Sequence, residues 1–158
     1  MSTAAVVPVQ SFVVVPLGSR RIALPAETVI ELVAASKMQN FPHATHWISG
    51  VLVRRNRIVP VCDPKQLFGE ERVGASRFYL IAEWKDGTVR DWCAIPVCGE
   101  CELESAEQSP VDNFATGDAA AHVTGVIPVD GENIEVIELS KLIRVQKQER
   151  GTELEPAQ

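Results

Sequence analysis

Three groups of side chains have the types and spacing to do chemistry. Cys98 and Cys101 form a CxxC with Cys93 five residues upstream, the spacing of half a zinc site or of a redox pair. Cys62 stands beside Asp63 and, with His43, His46 or His122, could supply a nucleophile, an orienter and a base. Arg54, Arg55 and Arg57 crowd into four positions, and Glu31 lies on a nearby predicted strand. Each group also has a plainer reading. The CxxC sits among strand residues, whereas a redox pair belongs at the start of a helix in a βαβ unit. The three histidines show no paired ligand spacing, and Cys62 rides on an apolar run as a core thiol would. The arginines read equally as a solvated turn. An Arg–carboxylate pair on the surface is worth about 0–1 kcal/mol. Deleting one partner of a buried pair costs roughly 3–5 kcal/mol, so burial decides whether such a pair matters. Trp84 and Trp92 flank a predicted hairpin, where they would stack a ligand or fill a core.

The rest of the composition bounds the answer. The chain has 158 residues, with 15 Lys+Arg against 21 Asp+Glu for a formal charge of −6. This length fits one domain or two small lobes. An acidic balance argues against non-specific nucleic-acid binding, which needs cations to replace counterions along phosphate. No apolar run reaches the length of a membrane span, and the N-terminus lacks a basic region before its short apolar stretch, so no signal peptide is visible. A cytoplasmic location and reduced thiols are the expectation. Valine is roughly an eighth of the chain, and β-branched side chains suit pleated sheets.

Strands and turns must position those groups. Residues 11–17 and 20–24, separated by Gly18-Ser19, predict a hairpin, and Pro25 opens a short helical turn leading into a strand at 28–33. Residues 37–45 read as a loop and Trp47-Ile48 as an amphipathic turn. Residues 51–53 and 58–62 predict a second hairpin with the arginines at its bend, where Asn56 tolerates a left-handed conformation. A turn follows at Asp63-Pro64 and stops at Gly69, and the polar stretch 70–76 reads as a seam between halves. Residues 78–84 and 88–97 form a third hairpin, with 98–103 continuing extended and 104–121 a long loop. Asp130-Gly131 marks the turn of a last hairpin over 122–138. Leu139, Leu142 and Ile143 then share one face of a short helix. Residues 1–10 and 146–158 read as flexible termini. Many short strands with short turns predict small barrels or a sandwich. No nucleotide, metalloprotease or hydrolase motif is present.

The segment from Trp47 to Asp63, WISGVLVRRNRIVPVCD, resembles the signature of the CheW-like domain family, coupling proteins of bacterial chemotaxis. That signature runs approximately I-x-G-V-x-N-x-R-G-x-x-x-P-V-x-D-L and continues to a helix ending F-G. Gly50, Arg55, Pro60, Asp63 and Phe68-Gly69 fall at the family spacing. Val29-Ile30-Glu31-Leu32 is similar to its V-x-E-I segment. Residues 94–99, 123–126 and 138–142 resemble its later strands and closing helix. The family's N-L-R-G reads Val53-Arg54-Arg55-Asn56 here, and its D-L reads Asp63-Pro64.

The resemblance spans about residues 11–145 and implies a single domain. Its fold would be mainly β: two small SH3-like five-stranded β-barrels on a shared core, with a short C-terminal helix. It implies a scaffold without enzymatic activity or cofactor. Its partners would be a CheA-type histidine kinase and the cytoplasmic tips of methyl-accepting receptors, with no nucleic acid and no membrane insertion. Val29, Glu31, Gly50 and Arg55 match receptor-coupling positions. In that reading Glu31 and Arg55 pair across a groove, Val29 offers an apolar contact, and Gly50 admits a partner's backbone. Alternatives are a divergent member serving a pilus-type system, a zinc or redox module on Cys93, Cys98 and Cys101, and a small-molecule sensor near Trp84 and Trp92.

Overall fold

The computed structural model describes residues 8–35, 38–39, 47–69, 77–110 and 122–143. They form ten strands: β1 (Gln10–Pro16), β2 (Arg21–Pro25), β3 (Val29–Ala34), β4 (Ile48–Arg54), β5 (Arg57–Cys62), β6 (Phe78–Asp86), β7 (Val89–Val97), β8 (Glu102–Ala106), β9 (Val123–Val129) and β10 (Glu132–Ile137). A 3₁₀ turn covers Ala26–Thr28, and short helices cover Pro64–Phe68 (α1) and 139–143 (α2). The strands make two five-stranded curled sheets, β8-β1-β2-β10-β9 and β3-β6-β7-β5-β4. Isolated bridges bring each sheet's outer strands toward closure, Ser109 to Val126 in the first and Gln39 to Val51 in the second. These are the two small SH3-like barrels expected from the sequence, with the short C-terminal helix.

Strand parity explains why the apolar runs are continuous. On β1, Phe12 and Val14 face the interior of the first barrel with Ala23, Ile127, Ile134 and Val136. The intervening Val13 and Val15 face a larger cluster shared with the second barrel. On β6 the same alternation sends Tyr79 and Ile81 inward with Leu52, Val59, Val61 and Ala94. Leu80, Ala82 and Trp84 go to the shared core. A strand buried on both faces shows no period of two in its hydrophobicity. Each Leu or Phe removed from water contributes about 1.5–3 kcal/mol. The shared cluster also contains Leu17, Ile22, Leu24, Leu67, Phe68, Leu142 and Ile143, so it supplies the cohesion between barrels.

Several boundaries differ from the sequence expectations. Ile48 belongs to β4, paired with Cys62, and is not part of a turn. Residues 98–101 do not run on extended, while 102 and 103 belong to a new strand. The chain bends after β7, and β8 crosses to pair with β1, Glu104 opposite Phe12. Residues 104–106, expected as loop, are therefore strand; the charges that disguised β8 suit an outer strand. Of the expected long loop, 111–121 lies outside the described residues, as do His43, His46 and most of 37–45. The stretch 70–76 also lies outside them. Both strands flanking it, β5 and β6, sit in the second sheet, so the crossings between sheets fall at 26–28 and 98–101.

The two barrels repeat one another in detail. Aligned without a gap, residues 47–68 and 122–143 place Gly50 on Gly125, Val51 on Val126, Val61 on Val136 and Leu67 on Leu142. Both hairpins turn on two residues of positive φ, Arg55 (52°) and Asn56 (60°), Asp130 (50°) and Gly131 (80°). That is the type I′ geometry favoured by twisted hairpins. The Ser49 hydroxyl donates to the Val61 carbonyl at 3.3 Å, and the Thr124 hydroxyl to the Val136 carbonyl at 3.4 Å. The Asp63 N–H donates to Trp47 O and the Glu138 N–H to His122 O, each at 2.8 Å. Each segment ends in its short helix, α1 or α2.

Candidate functional site: the mouth of the second barrel

Glu31 lies on β3 opposite Ile81, an inward-facing residue of β6. Paired residues in a sheet point to the same face, so Glu31 shares the inward face of Ile81, and its 16% exposure puts the carboxylate where that interior opens to solvent. Arg54 is two positions after inward-facing Leu52 on β4 and projects to the same side. Its guanidinium reaches across the mouth as a fork, Nε donating to Oε1 at 2.8 Å and Nη2 to Oε2 at 2.9 Å. Arg55 approaches the same Oε1 at 3.5 Å. The pairing expected between Glu31 and Arg55 is thus made chiefly by Arg54. Arg55, at a turn position with φ 52°, is the outer member of a three-residue cluster.

Exposure grades the cluster. The Glu31 side chain is 16% exposed, Arg54 43% and Arg55 61%. The Arg54 hydrogen bonds hold the Glu31 carboxyl below its usual range. Its partial burial opposes that shift, and the charges of Arg54 and Arg55 reinforce it. Glu31 therefore stays ionised, while Arg55 retains donors directed outward. Next to it, the Arg57 guanidinium lies 3.8 Å from the centre of the Trp92 ring, with Asp91 at 3.6 Å. An Arg over an indole gains cation–π attraction of about 0.5–1 kcal/mol when exposed. Val53 and Ile58, cross-strand neighbours flanking the turn, are 59% and 67% exposed. The mouth thus presents fixed cations and a small apolar pair around one tightly held carboxylate.

The remaining sequence candidates fall elsewhere. Val29 is half-buried against the shared core, two residues before Glu31 and separated from it by a bulge. Gly50 is buried, and the close approach it permits is made by the protein's own chain. A Cβ there would meet the Met38 side chain at 2.5 Å and the Gln39 carbonyl at 2.7 Å. It therefore serves the strand crossing that draws the second barrel closed.

Cys62 and Cys93 are fully buried on adjacent strands. The contact with Cys93, then burial, push the Cys62 thiol well above its ordinary value, so it stays protonated and a poor nucleophile. Asp63 caps α1 by accepting from the Lys65 N–H at 3.0 Å and is committed to that helix. Burial raises Cys101 to about 11. Cys98 is held by backbone, with the Gly18 N–H donating to its Sγ at 3.2 Å. Among the described residues, no three His, Cys, Asp or Glu side chains converge as metal ligands. Trp84 is buried in the shared core, so the two tryptophans face different clusters. No helix of the described residues is long and apolar enough to cross a membrane.

The sequence singled out Arg54 within the basic bend but assigned the Glu31 pairing to Arg55, and it did not bring Arg57 onto Trp92. The available signal was parity: counting in twos from Leu52 places Arg54, not the turn residue Arg55, across from Glu31.

The sequence model of the CheW-like domain matches residues 11–147. Protein FrzA of Myxococcus xanthus is 31% identical over 146 residues, 89% of each chain. Among solved structures, the scaffolding protein TtCheW of Thermoanaerobacter tengcongensis superposes with a TM-score of 0.69 at 25% identity, over 85% of this chain and 92% of that one. The two barrels, the Glu–Arg cluster at one mouth and a match over nearly the whole chain lead to one conclusion: this protein belongs to the CheW-like domain family, scaffolds of chemosensory signalling.

Proposed function

We propose that the protein is a non-enzymatic coupling scaffold joining the cytoplasmic tips of methyl-accepting receptors to a CheA-type histidine kinase. It would work in the cytoplasm, at receptor arrays. The observation that carries this reading is the fixed cluster at the second barrel's mouth. Glu31 is ionised and clamped by Arg54, and Arg55 is left outward with free hydrogen-bonding capacity. A clamped carboxylate orders the rim before any partner arrives, which reduces the ordering cost of association. Val29 and Arg55 would touch the receptor, Glu31 would hold the rim in shape, and Gly50 would act through barrel closure.

The purified protein, mixed singly with receptor tips and with the kinase of the same organism, should capture each. Receptor-dependent kinase activity should need all three components. Arg55→Ala should lose receptor capture while keeping kinase capture. Capture of neither partner by the unaltered protein would overturn the reading. A member of a pilus-type system would bind that system's receptors and kinase instead, and the same assay run with those components identifies it.

A further inference from the structure

We infer that Arg20 is a positioning residue: it latches the first barrel onto α1, the helix that follows β5 within the second, and so sets the angle between them. Arg20 closes the β1–β2 turn, its carbonyl accepting from the Leu17 N–H at 2.9 Å. Its guanidinium donates through Nη2 to Glu135 at 2.7 Å and through Nη1 to the Phe68 carbonyl at 3.1 Å. Glu135 is on β10 of the same sheet, beside Ile22, and aims the side chain. Phe68 is the last residue of α1, which continues from β5 of the other sheet. A helix leaves its final carbonyls without intrahelical partners, and a cation at that end is favoured.

A second contact holds the same turn to the same neighbour. The Gly18 N–H donates to Cys98 Sγ at 3.2 Å, and that thiol donates back to the Pro16 carbonyl at 3.7 Å. Cys98 directly follows β7 of the second sheet. The apolar core between barrels supplies cohesion, but hydrophobic attraction is non-directional. Directional bonds with fixed geometry are what select one relative orientation, and a planar guanidinium with two acceptors from two barrels is suited to that.

The latch lies at one end of β2, and at the other end a cleft of about 480 Å³ opens between the barrels. Pro25, Glu27, Glu83, Lys85, Glu138 and Ser140 line it. Five strand residues separate the two ends, roughly 17 Å of strand. A change in angle at Arg20 is therefore read out as a change in the width of this cleft. Only that consequence for partner binding rests on the coupling reading; the latch itself stands on the contacts of the free protein.

Residual dipolar couplings of the weakly aligned, ¹⁵N-labelled full chain test it without any partner. In the unaltered protein one alignment tensor should fit the amides of both barrels. In Arg20→Ala two tensors with different axes should be required. Arg20→Lys should behave like Arg20→Ala, because an ammonium cannot span both acceptors in the fork geometry, and it serves if the alanine variant fails to fold. Arg21→Ala removes the same charge but breaks a pair, with Glu132 at 2.8 Å, that lies inside the first sheet, so one tensor should suffice. A single tensor fitting the Arg20 variants as well as the unaltered protein overturns the latch. So does a split caused equally by Arg21→Ala.

Discussion

Residues 47–68 and 122–143 build the same frame twice, with different side chains both in the core and at the rim. Turn, crossing strand, hydroxyl bond and terminal helix are shared. The side chains at the mouth differ. Arg54 of the second barrel corresponds to Val129 of the first, which is buried. The strained turn residue Arg55 corresponds to Asp130, a type that tolerates positive φ. Arg57, stacked on Trp92, corresponds to Glu132, paired with Arg21. The duplicated features are those that fold the chain, and among the unduplicated ones are those that set the Glu31–Arg54–Arg55 cluster on one barrel alone.

Breaking the shared frame should have the largest effect. Gly125 is crossed by Gln108 and the Ser109 carbonyl as Gly50 is by Met38 and the Gln39 carbonyl. Overfilling such a contact costs about 1–3 kcal/mol. Gly50→Ala and Gly125→Ala should therefore lower the urea midpoint by similar amounts, and a loss at only one site would show that the copies are not mechanically equivalent.

Exchanging the turns sharpens the contrast. A non-Gly residue in the left-handed region costs about 1 kcal/mol, and Asn or Asp largely escapes that cost. Arg55→Asn should raise stability by about this amount and, on the proposed coupling role, lower receptor capture. Asp130→Arg should cost the same amount with no gain in capture. That pair of outcomes would identify Arg55 as a strained position held for its side chain.

The next effect depends on pH. Arg54 lowers the pKa of Glu31 in the folded state below its ordinary 4.5. A depressed carboxylate contributes stability above the unfolded value and loses it as pH falls through the folded one. The stability difference between the protein and Glu31→Gln should be constant above about pH 5 and shrink in acid. A difference that persists unchanged well into acid would mean the ionised pair is not its source.

The smallest effect separates the copies again. His122 occupies the position of Trp47, and burial chiefly lowers its pKa from 6.5, the Glu135 charge opposing and Arg20 assisting. Between its folded value and 6.5 the unfolded chain binds more protons, so stability falls as pH drops through that window. His122→Gln should flatten this slope, as seen in thermal melts from pH 7.5 to 5.5.

Much of this was legible in the sequence, for reasons that differ by element. Asp130-Gly131, Lys85-Asp86-Gly87 and Gly18-Ser19 announced three hairpins because positive φ restricts residue type. Asp63-Pro64 and Gly69 bracketed α1 as cap, first-turn proline and left-handed stop. The crossing at 98–101 was not legible, because nothing local in Cys98-Gly99-Glu100-Cys101 distinguishes a bend between sheets from a continuing strand. Nor was β8, whose Glu102, Glu104 and Ser105 follow from its outer position in the sheet. The dominance of Arg54 over Arg55 depended on which face of β4 each residue takes. That is fixed by the two-residue turn, not by the arginines themselves.

The parallel contact between β2 and β10 has a consequence for synthesis. The second barrel is one continuous run, 29 to 97, and can assemble once that stretch has left the ribosome. The first barrel cannot, since its opening hairpin waits for a strand whose Glu135 lies 115 positions beyond Arg20. At about 5–20 residues per second, β1 and β2 wait on the order of 5–20 seconds with Phe12, Ile22 and Leu24 uncovered by their final neighbours. The later strands therefore have to find a hairpin made 115 positions earlier, and until then that hairpin is open to chaperones and to misassociation.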